Sequence, residues 1–258
     1  MTLVDFQRLV DGVQIDKGLT KLTKINFKAF LNSVLDYVDY TYHNQNNIRL
    51  DKIKLKQGKP SDRIKYLEPE EIQPFLNSIY ANLNETYAMA LEVQLLTGMR
   101  IGEVRALTEL DWLINDTGPN QIRTNKSIER RTNRVSVVKN KFFNRTIESS
   151  DRIDDIFRQR IQTNHLLFGD DASFIFTSKL NGPITYTYLA STLPDINPHY
   201  STHMLRHTHI SLLAQNGVSL KYTMNRVGHS DPKTTLKIYT HVSDTLKQKE
   251  AEKLNNLF

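Results

Sequence analysis

Residues 203–241 read HMLRHTHISLLAQNGVSLKYTMNRVGHSDPKTTLKIYTH. Gly217 and Gly228 cut this stretch into three helical pieces, because glycine ends helices through a left-handed conformation that other residues avoid. Thr202 stands where the N-cap of the first piece belongs, Ser219 suits the cap of the second, and Asp231 followed by Pro232 suits the start of the third. On the first piece His203, Arg206 and His207 fall at i, i+3 and i+4 and share one face. His229 directly follows the Gly228 break, and Tyr239 lies about two turns into the third piece.

Three chemistries compete for this face. Ordinary surface exposure accounts for any single histidine or arginine on a helix. A metal pair at His203 and His207 lacks the glutamate that a zinc protease motif requires. An anion site takes in the whole group, with imidazole and guanidinium donors around a phosphate and the Tyr239 hydroxyl as the attacking group. A phosphodiester transition state spreads negative charge over its non-bridging oxygens, so such a site calls for a second arginine from elsewhere. Tyr239 could also be plain half-buried packing. Among 11 tyrosines, however, it alone follows the glycine–histidine break, whereas Tyr222 precedes it.

Working outward, 258 residues have room for a large domain and a small one, each with its own core. A content of 39% hydrophobic and 24% charged residues describes a soluble globular chain. The excess of 34 Lys and Arg over 28 Asp and Glu favours a polyanionic partner without requiring one. The absence of cysteine excludes disulfides, thiolate metal sites, iron–sulfur clusters and a cysteine nucleophile. With early acids in MTLVDFQRLVDG and no apolar run of spanning length, the expected location is the cytoplasm, away from membranes.

Residues 20–43 place Leu22, Ile25, Phe30, Leu31, Val34, Leu35 and Val38 at helical spacing, which predicts an amphipathic helix. Residues 47–65 follow as an exposed basic linker carrying Lys52, Lys54, Lys56, Lys59, Arg63 and Lys65, either simply solvated or strapped against phosphates. LEPEEIQPFLNSIY opens the larger domain near residue 64, with Pro69 and acids in a first helical turn. YAMALEVQLLTGMR predicts a second helix broken by Gly98, and IGEVRALTELDWLIN another helix running into a turn. Residues 119–148 are short β-prone pieces that suit a small antiparallel sheet, and SFIFTSKLNGPIT suits one further strand with a turn at Asn181-Gly182. The expected fold class is α+β, a mostly helical domain with a small antiparallel sheet, preceded by a small all-helical domain.

TGMRIGEVRAL, the 203–241 stretch and their order along the chain resemble the tyrosine recombinase family, the phage-integrase type especially. The resemblance covers roughly residues 64–258 and extends more weakly into 1–50, which are similar to part of a helical core-binding domain, with 51–63 as the basic linker. It implies that Arg100 is the first family arginine, that His203 and Arg206 are the H-x-x-R pair on the scissile phosphate, and that His229 is the second histidine, a donor or proton handler. It further implies that Tyr239 is the nucleophile of a 3′-phosphotyrosyl intermediate, and that Glu103 orders the arginine. The family's general-acid lysine matches Lys139 in VVKNKFFNRTI, with Lys141 as the alternative.

The implied activity is site-specific cleavage and rejoining of DNA for integration or excision of a phage or other mobile element. It needs no ATP, metal or other cofactor, because the phosphate energy is kept in the protein–DNA bond. The implied partners are double-stranded DNA attachment sites, a homotetramer on paired sites, and accessory DNA-bending or excision-directing proteins. The family usually carries a further N-terminal arm-binding domain and a longer core-binding part, so the expectation is a fragment or a short gene. SDTLKQKEAEKLNNLF suits a charged helix with Leu246, Leu254, Leu257 and Phe258 as sparse apolar contacts. A non-catalytic repressor with a helix–turn–helix around Gly217 is the rival, but it would need neither Arg100 nor Tyr239. A type IB topoisomerase shares the chemistry without strand exchange.

Overall fold

In the computed structural model, which describes residues 4–5, 7–8, 21–42, 65–130, 132–137, 144–171, 173–229 and 232–255, the run AMALEVQLL at 88–96 forms the middle of a central helix. The described residues fall into two compact units, one within Met1–Arg63 and one within Ile64–Phe258. In the first, α1 (Lys21–Tyr42) buries Leu31 and leaves Phe30, Val34 and Tyr37 exposed. The periodic helix expected there is present.

In the second unit α2 (Pro69–Asn82) leads into the central α3 (Glu85–Thr97). Ala88, Met89, Ala90, Leu91, Val93 and Leu95 of α3 are buried on all sides, as an apolar run without helical periodicity requires. Its one acid in that run, Glu92, is buried but accepts from Arg152 and from the Tyr80 hydroxyl. Asn84 caps its start through the Thr86 N–H, and Gly98 ends it in the left-handed conformation at φ 67°.

α4 (Ile101–Arg105) follows at once and is far shorter than the sequence predicts. Ala106 closes it, the Leu107 carbonyl leaves the helix to accept from the Ile175 N–H, and Thr108 and Asp111 bracket a 3₁₀ turn. The rest of that stretch becomes β1 (Trp112–Leu113). Residues 119–148 do build antiparallel strands, but in two sheets rather than one. β2 (Gln121–Thr124) lies between β1 and β5 (Arg145–Glu148), while β3 (Lys126–Ile128) pairs only with β4 (Val135–Val137). In the first sheet Ile122 faces Ile147 across the ladder, and both are buried.

α5 (Asp151–Phe168) packs on α3, and SFIFTSKLNGPIT then makes only an isolated bridge between Thr177 and Pro183 around an Asn181 turn, in place of the expected strand. Asn164 on α5 takes the Phe174 and Ile175 carbonyls, so this backbone is satisfied by a side chain instead of a ladder. α6 (Tyr186–Ile196), α7 (Thr202–Gln215), α8 (Leu220–Val227) and α9 (Pro232–Asn255) complete the unit. Ser201, not Thr202, is the N-cap of α7, accepting from the Met204 N–H at 3.3 Å. Ser219 caps α8 as expected, whereas Asp231 lies outside the described residues. Ile210, Val227, Ile238 and Val242 form a second small core joining α7, α8 and α9. No helix among the described residues is long and apolar enough to cross a membrane.

α7 packs against α3 so closely that a Cβ on Gly98 would meet the His209 ring at 2.6 Å. Gly217, also at positive φ (72°), has open space around it. In urea unfolding Gly217→Ala is expected to cost about 1 kcal/mol from backbone strain alone, and Gly98→Ala about 3 kcal/mol because overpacking is added. Equal losses at the two positions would show that the contact with His209 carries no strain.

Candidate active site

The end of α3 and the start of α4 set the first cation. Arg100 sits at the N-cap of α4, where its backbone N–H donates to Glu103 Oε2 at 2.8 Å. Its guanidinium reaches Glu103 Oε1 at 3.4 Å and the Gly228 carbonyl at 3.3 Å. Glu103 is 3% exposed and also receives a two-pronged contact from Arg145 on β5, at 3.2 and 3.0 Å. Burial alone would push the Glu103 carboxyl up, but the Arg145 guanidinium and the Arg100 N–H hold it below the usual carboxylate range.

Arg206 projects from the buried side of α7. It donates through Nη1 to the Gly98 carbonyl at 2.6 Å and through Nε to His229 Nε2 at 3.3 Å. Its Nη2 is buried and has no hydrogen-bond partner among the described residues. Burial, with the Arg100 and Arg145 cations nearby, brings this guanidinium down to about 9 against the opposing pull of Glu103. Since His229 Nε2 accepts, its Nδ1–H donates to Thr235 Oγ1 at 2.7 Å, which fixes a neutral tautomer. Burial and the Arg206 and Arg100 cations bring His229 down to about 3.

His203 lies on the outer part of the same helix face. Its Nε2 accepts from Arg130 Nη2 at 2.6 Å, and the Arg130 guanidinium stacks 4.5 Å above the Tyr186 ring. Partial desolvation of the ring together with Arg130, His207, Arg206 and Arg100 holds His203 below its ordinary value. His207 is half-buried beside it and also held down by burial. His209, one turn past Arg206, faces inward. It donates through Nδ1 to the Leu95 carbonyl, accepts at Nε2 from Arg226, and is brought to about 3 by burial and Arg226.

Tyr239 packs on the small core of α7, α8 and α9. Its hydroxyl donates to the Val218 carbonyl at 2.8 Å and pairs with Thr223 Oγ1 at 2.6 Å. Burial raises this phenol and the Thr223 contact opposes the rise. The structure therefore pairs Arg100 with Glu103 and Arg206 with His229, brings the two pairs together at the Gly98 and Gly228 carbonyls, sets His203 on Arg130, and engages the tyrosine hydroxyl with the α7–α8 turn and α8. Lys139, Lys141, Lys52, Lys54, Lys56, Lys59 and Arg63 lie outside the described residues, while Lys65 is exposed. Leu257 and Phe258, and the side chains of Leu246 and Leu254, are outside them as well.

Sequence reasoning missed Arg130, Arg145, Arg226, Thr223 and Thr235. Arg145 carried a usable signal, since it stands two residues before the buried Ile147 and so points to the same face of its strand. Arg226 had the weaker signal of a basic residue in the last turn of its helix.

A profile of the phage integrase family matches residues 65–245. The chain is 34% identical over 247 residues to an integrase of Staphylococcus phage L54a, covering 84% of this chain and 69% of that one. It is 32% identical over 255 residues to a prophage ps2 probable integrase of Lactococcus lactis subsp. lactis, covering 88% of this chain and 65% of the relative. Its fold is similar to that of the Tn1549 transposon integrase solved in complex with circular intermediate DNA. That comparison gives a TM-score of 0.69 at 20% identity, over 98% of this chain and 86% of that one. It is also similar to the XerH site-specific recombinase bound to a palindromic difH substrate, with a TM-score of 0.66 at 20% identity over 97% and 72%.

His209 and His229 have folded values of about 3, below the ordinary 6.5, so as pH falls the unfolded chain takes up protons first. The stability they allow is fully present above about pH 6.5 and is lost as pH drops toward 3. Between pH 7 and pH 5 the buried His209 is expected to cost on the order of 1–2 kcal/mol of folding free energy. In urea unfolding at the two pH values, His209→Gln should lose that part of the pH dependence. An undiminished slope in the variant would mean that His209 takes up its proton as readily in the fold as in the unfolded chain.

Proposed function

Because the chain belongs to the phage integrase family, we propose that it is a site-specific tyrosine recombinase that cuts and rejoins duplex DNA through a 3′-phosphotyrosyl intermediate. The observation that carries this is Arg206. A guanidinium that is 3% exposed, with an Nη2 that has no hydrogen-bond partner among the described residues and with Arg100 and His229 beside it, offers a donor suited to an anion of phosphate size. A buried cation without its counter-ion is costly, and a diester phosphate supplies both the charge and two acceptor oxygens.

In the proposed reaction Arg100, Arg206 and His203 hold the non-bridging oxygens, and His229 stands beside them as a proton handler. The Tyr239 oxygen attacks phosphorus, and the bond to the 5′ oxygen breaks. Lys139 or Lys141 gives the leaving oxygen its proton, and a neutral imidazole takes the proton of the phenol. The attacking hydroxyl must first leave Val218 and Thr223, two hydrogen bonds whose net worth is about 1 kcal/mol each, a cost that DNA binding readily offsets. Attack by a 5′ hydroxyl of another strand reverses the step and rejoins the DNA, so bond energy is conserved.

In the same proposal residues 1–50 are part of a helical core-binding domain, 51–63 a basic linker along the backbone, and 64–258 the catalytic domain. The enzyme acts in the cytoplasm, on attachment sites of a phage or other mobile element, as a tetramer on paired sites with accessory DNA-bending or excision-directing proteins.

Incubation with a pool of random-sequence duplexes in EDTA, stopped with detergent and run on a denaturing gel, should give a covalent protein–DNA band. Tyr239→Phe should abolish it, and Arg206→Ala should reduce it about 10²–10³-fold. A band that survives Tyr239→Phe would remove Tyr239 as nucleophile. Replacing Lys52, Lys54 and Lys56 together with alanine should flatten the plot of log affinity against log salt for duplex DNA by about 0.9 for each phosphate that is no longer neutralised. An unchanged slope would leave the linker solvated.

A further inference from the structure

Arg145 is a buried cation for which the proposed chemistry has no use. Its side chain is 9% exposed, and all three of its nitrogens are committed: Nη1 and Nη2 to the Glu103 carboxylate, and Nε to the Arg226 carbonyl at 2.7 Å. We propose that Arg145 is the positioning residue for Arg100, fixing from strand β5 two acceptors of that guanidinium, the Glu103 carboxylate and the Gly228 carbonyl. The inference rests on the proposed phosphate role of Arg100.

The geometry has two arms. On one side Arg145 holds Glu103 at 3.0 and 3.2 Å, closer than the 3.4 Å at which the same carboxylate receives Arg100 Nη1. The Arg100 N–H at 2.8 Å fixes one end of the carboxylate, the charged fork from Arg145 fixes its plane, and the weaker side-chain contact from Arg100 follows it. On the other side the Arg226 carbonyl belongs to the last turn of α8, two residues before Gly228, whose own carbonyl receives Arg100 Nη2. That turn is closed by the Gly228 N–H on the Met224 carbonyl, so gripping Arg226 sets the direction of the Gly228 carbonyl.

Strand β5 is a suitable brace for this. Arg145 pairs with Thr124 across the ladder, and the Thr124 hydroxyl donates to the Arg145 carbonyl. Further along the strand, Glu148 takes Arg226 Nη1 at 3.0 Å and the Tyr222 hydroxyl at 2.9 Å, and its carbonyl takes Arg226 Nη2. A second set of bonds thus ties the same strand to the same helix. The register of the sheet is held by the buried pair Ile122 and Ile147. Arg100 itself sits on a five-residue helix, too short to fix a side chain unaided.

The test needs no knowledge of the DNA target. Orthovanadate, a phosphate-sized anion, is titrated into the full chain and its binding followed by vanadium-51 NMR well below the unfolding temperature of each variant. Arg100→Ala should weaken binding at least about tenfold, and Arg145→Gln should weaken it about tenfold, by letting a guanidinium drift that is no longer held. Arg145→Lys, which keeps the charge but not the fork, should fall about threefold and serves if the glutamine variant does not fold. In an Arg100→Ala background, Arg145→Gln should cause no further weakening, which separates positioning from general damage to the fold. Unchanged vanadate affinity in Arg145→Gln or Arg145→Lys, or an equal weakening with and without Arg100, would overturn the inference. Vanadate binding that ignores Arg100→Ala, or no binding at all, would instead overturn the phosphate role on which it rests.

Discussion

The Glu103 carboxylate is buried among guanidiniums, and its ionised state decides how the rest of the site is arranged. Taking a carboxylate out of water costs several kcal/mol, and the cost is met only when the partners are close and the remaining lone pairs are used. Here Arg145 makes the fork, the Arg100 N–H supplies a third donor and the Arg100 side chain a fourth. The donors come from β5 and α4, and the Arg145 Nε carries the connection on to α8. Segments around residues 100, 145 and 226, far apart in sequence, are therefore locked by one charge. Removing the Arg145 fork would leave the buried carboxylate with only the Arg100 contacts, so the charge constrains the fold more strongly than apolar packing of the same area.

A second regularity follows from how the helices end. Arg206 donates to the carbonyl of Gly98, the C-cap of α3, and Arg100 to the carbonyl of Gly228, the C-cap of α8. Both caps are left-handed, a conformation that leaves the final carbonyls of the helix in need of donors. The C-terminal end of a helix also carries a partial negative charge, favourable to a cation. Each arginine thus sits at the negative end of a helix from another part of the chain. The glycines that look like punctuation in the sequence are what bring two guanidiniums into one place.

Much of this was legible in the chain itself. The breaks at Gly98, Gly217 and Gly228, the shared face of His203, Arg206 and His207, and the position of Tyr239 all follow from local rules, since helix period and glycine conformation act within a few residues. What stayed hidden depends on contacts distant in sequence. α4 is short because the Leu107 carbonyl is claimed by Ile175, and SFIFTS is not a strand because Asn164 takes its carbonyls. Thr202 and Ser201 are equally good caps on paper, and only the path of the chain out of the Asn197 turn selects Ser201. Arg145 reads as one more basic residue a few positions after Lys139 and Lys141. Its alternation with Ile147 placed it inward, but nothing local could say that Glu103 would be waiting there.

The charge balance of the site gives the proposed chemistry its physical sense. Arg100, Arg145 and Arg206 face the single carboxylate of Glu103, while burial together with the same cations holds His229 neutral. Three positive groups against one negative leave a surplus of two. A phosphodiester entering the site brings one negative charge, and the five-coordinate state formed by tyrosine attack carries about two. In the proposed reaction the general-acid lysine adds to that surplus, so the site would favour the more highly charged transition state over the substrate, the difference in binding that accelerates a reaction. Neutral histidines serve this balance as well as supplying hydrogen bonds.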